Sequence, residues 1–382
     1  MNIFSNKIKL NRNELSGAFG DIGTDLPLII GMLLASDFHI SNVLIFFGIL
    51  QIATGFLYGI PMAVQPLKAV AMIVITQKVS GNTVLVGGLL IGIIMFILSI
   101  SNLLGLFQRI IPKTVIRGIQ LGLGIQLSLI ALKDYIPAEN TVGYFLAGIS
   151  FILALIFIGN RKYPPAVFII LFGIVYTLVF RFNPGIFTLS LPTIVFPKLD
   201  FSTIWSSFFL LTLPQIPLSL GNSIYATNQI VEDLFPEKKV SVKKIGITYS
   251  VMNISSAFFG GLPVCHGSGG LAGHYTFGGR TGGSVVIYGT LYVLLGLLFS
   301  SSFFETIQIF PKPVLGTILL FEGMALIILV KDIITDKKYF FIAIMVALMA
   351  NGLQYGYFVG LVAGILVFHL MNKVFLMHYG KQ

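Results

Sequence analysis

Apolar runs recur along this chain at the length of a bilayer crossing. Residues 43–60, 84–106, 143–159 and 356–371 are examples, each near the ~20 residues that span a hydrocarbon core as a helix. The mean hydropathy is +0.94 and only 10% of residues are charged, against about 25% in a soluble domain. In lipid a helix satisfies its own backbone hydrogen bonds. The short alternating segments of a membrane β-barrel are absent from the sequence. The expected fold class is therefore an all-α polytopic membrane protein.

Fourteen segments are expected, at 17–36, 42–60, 66–78, 83–106, 113–132, 142–159 and 164–181, then 205–228, 245–260, 267–279, 284–303, 312–330, 338–351 and 355–376. The net charge of +10 does not point to nucleic acid, because basic residues collect in alternate loops. With the N-terminus inside, eighteen of the 24 Lys and Arg residues fall on the cytoplasmic side. Five (Lys78, Lys133, Arg181, Lys198 and Lys312) fall outside, and Lys68 lies within a segment. That bias sets orientation and predicts that both termini are cytoplasmic, in a plasma (inner) membrane. No cleaved leader is expected at the polar start of the chain. The single cysteine, Cys265, rules out an internal disulfide.

The chain repeats itself at an offset near 200 residues. Ile111-Pro112-Lys113 matches Phe310-Pro311-Lys312. Gly59-Ile60-Pro61 matches Gly261-Leu262-Pro263, and Asp25-Leu26-Pro27-Leu28 matches Gln215-Ile216-Pro217-Leu218. Seven segments precede the second copy, so the copies face opposite ways, as in secondary transporters. The expected division is a first inverted repeat over 1–182, a linker over 183–204 and a second inverted repeat over 205–382.

Two segments, the third and the tenth, are short and broken. Residues 260–283 hold ten glycines in twenty-four positions. Glycine at that density suits close backbone approach to a ligand rather than a long helix. In the first repeat Pro66 marks a helix start within the membrane, and in the second the start falls near Gly267 or Ser268. Opposed half-helices would aim two N-termini at one point. Each offers free N–H groups and roughly half a positive charge, which is an anion site. Lys68, early in its half-helix, is an intramembrane cation and a functional candidate by default; a structural pairing with Asp21 or Asp25 is the alternative. Asp21, Thr24, Asp25 and Leu28 share one helix face, as do Gln215, Ser219, Asn222 and Ala226. Such polar stripes serve substrate, protons or interhelical hydrogen bonds. Glu322 is a further intramembrane carboxylate. Ser268 with His266 and His274 carries the ingredients of an intramembrane serine hydrolase, which needs a His in reach of the hydroxyl. His266, His274 and Cys265 have no convincing metal-ligand spacing, so no metal site is expected.

The motifs 20–27 (GDIGTDLP), 64–68 (VQPLK) and 263–273 (PVCHGSGGLAG) resemble the molybdate transporter family, which is related to the sulfate permeases. The resemblance runs over the whole chain. Leu67 stands where the family often has Met, and His274 and Thr276 stand where it often has Gln and a basic residue. The resemblance implies a seven-plus-seven inverted repeat with a core domain from segments 1–4 and 8–11 and a gate domain from segments 5–7 and 12–14. It implies an elevator motion and a substrate held between the third and tenth segments. The expected activity is secondary uptake of a tetrahedral oxyanion, foremost molybdate, coupled to protons. Sulfate uptake by the same fold, a passive anion channel and the Ser268 hydrolase are the alternatives. The expected substrate-binding residues are Gln65, Pro66, Leu67, Lys68, His266, Gly267, Ser268, Gly269, Gly270, Thr24, Gln215 and Asn222. Asp21, Asp25 and Glu322 are the proton-coupling candidates. No cofactor and no catalytic residue are expected. Partners would be the oxyanion (molybdate, tungstate or sulfate), protons, the lipid bilayer and, as an assembly, a homodimer.

Overall fold

A computed structural model of the chain describes residues 8–101, 103–157, 165–181, 192, 194–298 and 300–379. Residues 183–191 and 193 of the expected linker lie outside the described residues, as do both extreme termini.

The first half runs α1 (Arg12–Ala18), α2 (Ile22–Ala35), α3 (Ile40–Tyr58), β1 (Val64–Pro66), α4 (Lys68–Gln77), α5 (Gly81–Ile100), α6 (Leu104–Ile110), α7 (Lys113–Ile130), α8 (Asn140–Phe157) and α9 (Pro165–Phe180). The second runs α10 (Ile204–Ser207), α11 (Leu213–Leu218), α12 (Ala226–Leu234), α13 (Val242–Phe259), β2 (Val264–His266), α14 (Ser268–Thr276), α15 (Gly283–Leu298), α16 (Ser300–Ile309), α17 (Lys312–Ile328), α18 (Lys337–Gly352) and α19 (Gly356–Tyr379). Each of the fourteen expected ranges overlaps helix within its described residues. By length and composition, five helices among the described residues can cross a membrane, or six if the bent pair α1–α2 counts as one.

The centre of the molecule is built twice. β1 and β2 pair antiparallel, with Gln65 opposite Cys265. The helix before each strand ends on a left-handed glycine, Gly59 (φ 65°) after α3 and Gly260 (φ 71°) after α13, a conformation that costs glycine nothing. The chain then runs extended into the strand. A side-chain amide from the preceding helix clasps each strand at its first residue. Gln51 Nε2 donates to Val64 O (2.7 Å) and Gln51 Oε1 accepts from Val64 N (3.1 Å). Asn253 does the same for Val264 (2.7 and 3.0 Å). Both amides are fully buried, so each also satisfies backbone groups that lipid could not. Helix packing follows the same exchange: α3 lies on α15, and its counterpart α13 lies on α5, the counterpart of α15.

Four local departures from the sequence expectation have identifiable causes. The first segment is not one helix from residue 17. α1 and α2 meet at 41°, and Asp21 occupies the N-cap position of α2 rather than a continuous helical face. Segments four and eleven end at Ile100 and Leu298 and are followed by the separate helices α6 and α16; at the first break Ser101 Oγ donates back to Ile97 O (2.6 Å). The first half-helix starts at Lys68 and not at Pro66, which is spent in the strand pair. The eighth segment contains two π-helical stretches, Phe208–Thr212 and Ser219–Tyr225, flanking Pro214 and Pro217 in α11. Proline supplies no N–H and disrupts the i→i−4 ladder. The wider turns re-aim the polar stripe that α-helical spacing had aligned.

Candidate functional site

A cavity of about 280 Å³ opens where β1, β2 and the starts of α4 and α14 meet. One wall carries Gln65, Lys68, Cys265, His266, Gly267, Ser268 and Gly269, another Gln215, Leu218, Asn222 and Ser223, and the facing wall Arg117, Gln120 and Leu123 of α7 with Leu326 and Leu329. Among the described residues no carboxylate lines it. A second cavity of about 350 Å³ adjoins it, shares Arg117 and Asn222, and continues past Tyr225 and Ala226 to the exposed Lys113.

The two helix starts are not equally free. At α4, Leu67 N donates to Pro263 O (2.9 Å). Ala69 N and Val70 N both donate to Gln215 Oε1 (3.1 and 3.4 Å). Gln215 therefore caps α4 from the neighbouring segment and fills donors that the sequence had left for a ligand. At α14, Gly267 N reaches Ala63 O (3.4 Å), and no partner among the described residues takes the N–H groups of Ser268, Gly269 or Gly270. A side chain at Gly269 would meet nothing within 4 Å, whereas one at Gly267 would sit 1.9 Å from Gln65 Oε1. Gly269 thus opens onto the cavity, and Gly267 packs against its wall. Unfilled N–H groups at a helix start carry the positive end of the helix dipole.

Lys68, the first residue of α4, makes no ion pair among the described residues. The alternative of a structural pairing with Asp21 or Asp25 is not what the side chains do. Arg117 is by contrast neutralised by Asp332: Nε lies 3.0 Å from Oδ1, and Nη2 lies 2.6 Å from Oδ2. Of the two cations lining the cavity, Lys68 is the one with no ion pair among the described residues.

The remaining sequence candidates separate. Asp21 lies behind the wall and accepts from Gln65 Nε2 at 2.6 Å. Thr24 points away into a different cavity of about 230 Å³ and lies 3.4 Å from Glu322. Asp25 is fully buried, lies near Tyr288, and neither of its oxygens makes a well-formed hydrogen bond. Pro66, Leu67 and Gly270 do not line the main cavity; the bulge a side chain would form at Gly270 would run into Asp21 Oδ2 at 2.1 Å. Ser219 turns from the cavity to Tyr249 (2.6 Å), while Asn222 stays and Ser223 joins it, as the π-helical turn requires. His266 contributes only from a fully buried ring whose Nε2 bonds Thr248 Oγ1 (2.7 Å). His274 is equally buried against Tyr288. No hydrogen bond among the described residues joins Ser268 to either histidine, so the base that a serine nucleophile needs is not in place. No group of three or more His, Cys, Asp or Glu side chains among the described residues could hold a metal ion.

Arg117, Gln120 and Ser223 were missed in the sequence. Arg117 read as one more cytoplasmic charge. Gln120 lies on α7 one turn from Arg117, and a polar residue within a spanning segment is the signal that could have marked it, though Gln126 carries the same signal.

The chain matches a family described as "Molybdate transporter of MFS superfamily" over residues 13–127 and 207–326. It is 34% identical to Molybdate transporter 1 of Arabidopsis thaliana, an alignment covering 96% of this chain and 89% of the relative. It is 33% identical to Molybdate transporter 2 of the same plant, covering 89% and 83%. Among solved structures it resembles the transmembrane domain of a cyanobacterial bicarbonate transporter, BicA (TM-score 0.64, 17% identity, 91% of this chain and 99% of that one). It also resembles the murine Slc26a9 anion transporter in the inward-facing state (TM-score 0.68, 14% identity, 97% and 70%). With the matched residues holding β1, β2 and every wall of the cavity except Leu329, the chain belongs to the molybdate transporter family.

Proposed function

We propose that this protein is a secondary transporter that carries molybdate into the cell together with protons. The observation that carries the reading is, among the described residues, the open N-terminus of α14 beside an unpaired Lys68 in a cavity without carboxylates. Ser268 and Gly269 supply backbone donors, and Lys68 supplies charge. Gln65, Ser268, Asn222 and Ser223 supply further polar contacts. We read the chain as fourteen crossings in two inverted repeats with both termini cytoplasmic, the bias of basic residues being the support. One cavity wall comes from segments of the expected core and the facing wall from α7 and α17 of the expected gate. An elevator motion of core against gate would alternate access to a site so divided.

Proton coupling has a physical rationale at Asp21. Moving a dianion against a negative interior costs about 2.3 kcal/mol per charge per 100 mV, and co-transported protons offset it. An ionised Asp21 can only accept. It therefore holds the Gln65 amide with the NH₂ toward itself, leaving Gln65 Oε1 against Gly267 at the start of α14. An oxygen there opposes an anion. A protonated Asp21 donates to Gln65 Oε1 instead, and the rotated amide turns its NH₂ to the cavity. Proton and anion binding then favour each other. The ionisable groups around Asp21 are Asp25 on its own helix, Lys68 on α4, Glu322 on α17, Cys265 on β2, and Tyr288 and Tyr292 on α15.

The test is titration of molybdate, tungstate and sulfate onto purified protein, followed by uptake into liposomes under a pH gradient. Tight molybdate and tungstate binding with weak sulfate binding is expected. A sulfate preference would change the substrate, and no binding of any of the three would remove the anion site. Asp21→Asn is expected to lose pH-driven accumulation while keeping exchange. Asp25→Asn and Glu322→Gln are compared alongside, and unchanged pH-driven uptake in any of the three removes that residue from the coupling.

A further inference from the structure

We infer that Gln120 is a substrate-binding and specificity-determining residue, donating a hydrogen bond to the oxyanion from the gate side of the cavity. The inference rests on the anion-transport reading above and adds a contact that neither half-helix provides.

Gln120 lies on α7, is 1% exposed and lines the cavity. Its orientation is fixed by chemistry. Arg117 Nη1 lies 2.8 Å from Gln120 Oε1, and a guanidinium has donors only. The amide oxygen must therefore face Arg117, and the NH₂ must face the other way. Arg117 is itself held by Asp332 through Nε and Nη2, which leaves Nη1 for the amide. Asp332 also binds Lys113 (2.6 Å). The result is a relay from Asp332 through Arg117 to Gln120 that ends in a buried NH₂: Gln120 Nε2 makes no hydrogen bond among the described residues.

A buried donor left unpaired costs free energy, and an acceptor held in the cavity that Gln120 lines would complete it. Here the ligand is an acceptor-only species in the same cavity. Across the cavity stands Gln65, held by Asp21 in the opposite sense with its oxygen inward. The two amides therefore differ in role. Gln65 is switched by a proton, whereas Gln120 is a fixed donor, because Arg117 does not deprotonate in proteins. Arg117 and Asp332 are positioning residues. An uncharged donor on the gate side also has a mechanical consequence: it grips the oxyanion only while the core stands at this height against α7, and it releases the anion when the core moves.

The experiment uses the full-length protein in detergent, with molybdate affinity measured by calorimetry and thermal stability measured on the same samples. Gln120→Met keeps the side-chain length and removes the donor. A hydrogen bond to a charged group is lost, so affinity is expected to fall about tenfold to a hundredfold, with the unfolding temperature unchanged or raised. Gln120→Glu serves if the Met variant misfolds. Arg117 holds a carboxylate more tightly than an amide, while the second oxygen turns toward the anion, and affinity is expected to fall further than in the Met variant. Folded Gln120→Met or Gln120→Glu protein that binds molybdate as wild type does would overturn this inference and leave the anion-transport reading standing. Wild-type protein that binds no oxyanion would overturn both.

Discussion

Gln215→Glu separates the stability of the site from its use. The amide of Gln215 caps α4 through Oε1, which accepts from Ala69 N and Val70 N. A carboxylate is isosteric and accepts the same two bonds. Charge-assisted bonds are stronger, and a negative charge at a helix start contributes about 0.3–1 kcal/mol, up to ~2 when partly buried. The bond from Gln215 Nε2 to Ser219 Oγ (3.1 Å) is replaced by one donated from the Ser219 hydroxyl. The fold should therefore hold. Anion binding should not. A cavity of 280 Å³ is about 8 Å across if spherical, so a charge on its wall sits within about 8 Å of any occupant. At an effective dielectric of about 20, a unit charge and a dianion at that distance repel by about 4 kcal/mol, roughly a thousandfold in affinity. The assay is a molybdate titration on wild type and variant across a pH series, with the unfolding temperature recorded in parallel. Affinity should recover as pH falls, because protonation removes the added charge. A variant that is as stable as wild type and binds molybdate equally at neutral pH would refute the placement of the anion in this cavity.

Three further outcomes are expected. Gly269→Ala should fold at least as well as wild type, since Ala is favoured over Gly in a helix by about 1 kcal/mol and its methyl meets nothing; Gly267→Ala, whose methyl would sit 1.9 Å from Gln65 Oε1, should lose both stability and binding, and equal behaviour of the pair in titration and melting would contradict the geometry. Ser268→Ala should weaken uptake about tenfold or less, as loss of one hydroxyl contact beside backbone donors implies, and complete loss of function would revive a nucleophilic role. Glu14→Gln should lower the unfolding temperature by the equivalent of about 3 kcal/mol. Glu14 is buried and accepts from Arg280 N, Thr281 N and Ser284 N (3.0, 2.9 and 3.0 Å), and an amide would turn a donor toward one of those N–H groups.

What could be read in the sequence follows from what the sequence encodes locally. Apolar length and glycine punctuation located the main helical stretches, because burial in lipid leaves one backbone solution, but not the separate helices α1, α6 and α16. The repeat offset near 200 residues matched Gln65-Pro66 with Gly267-Ser268 as two short broken segments, but the strand register that sets Gln65 opposite Cys265 was not legible in it. The polar stripes were less legible. Helical spacing put Asp21, Thr24 and Asp25 on one face, yet the break before α2 sends them to Gln65, to Glu322 and toward Tyr288. Spacing likewise grouped Ser219 with Asn222, and the π-helical turn parted them. Capping across segments was invisible: nothing near Gln215 in the chain says that its partner is the start of α4. Gln120 was hidden for the same reason, because its orientation comes from Arg117 and Asp332, the latter more than 200 positions away.

The duplicated frame also bears on why the start of α4 is capped and the start of α14 is open. Asp25 and Gln215 occupy equivalent places in the two copies, each two residues before the shared Pro-Leu. The scaffold around them is duplicated down to the clasping amides Gln51 and Asn253. Gln215 uses its position to cap α4. Among the described residues Asp25 makes no well-formed hydrogen bond, and the starting N–H groups of α14 find no partner. Symmetry would supply α14 with a cap like that of α4. Its absence leaves the positive end of one helix open beside Lys68. Two identical caps would have closed the site, and two identical openings would have left α4 unsupported in a low-dielectric interior. A duplicated frame with one cap omitted holds the backbone firm while leaving one set of donors for an anion. Introducing a cap on α14 is the corresponding perturbation: Gly269→Asp places a short carboxylate at the open helix start, where it should raise the unfolding temperature and abolish molybdate binding, and retention of binding would show that α14 is not the donor.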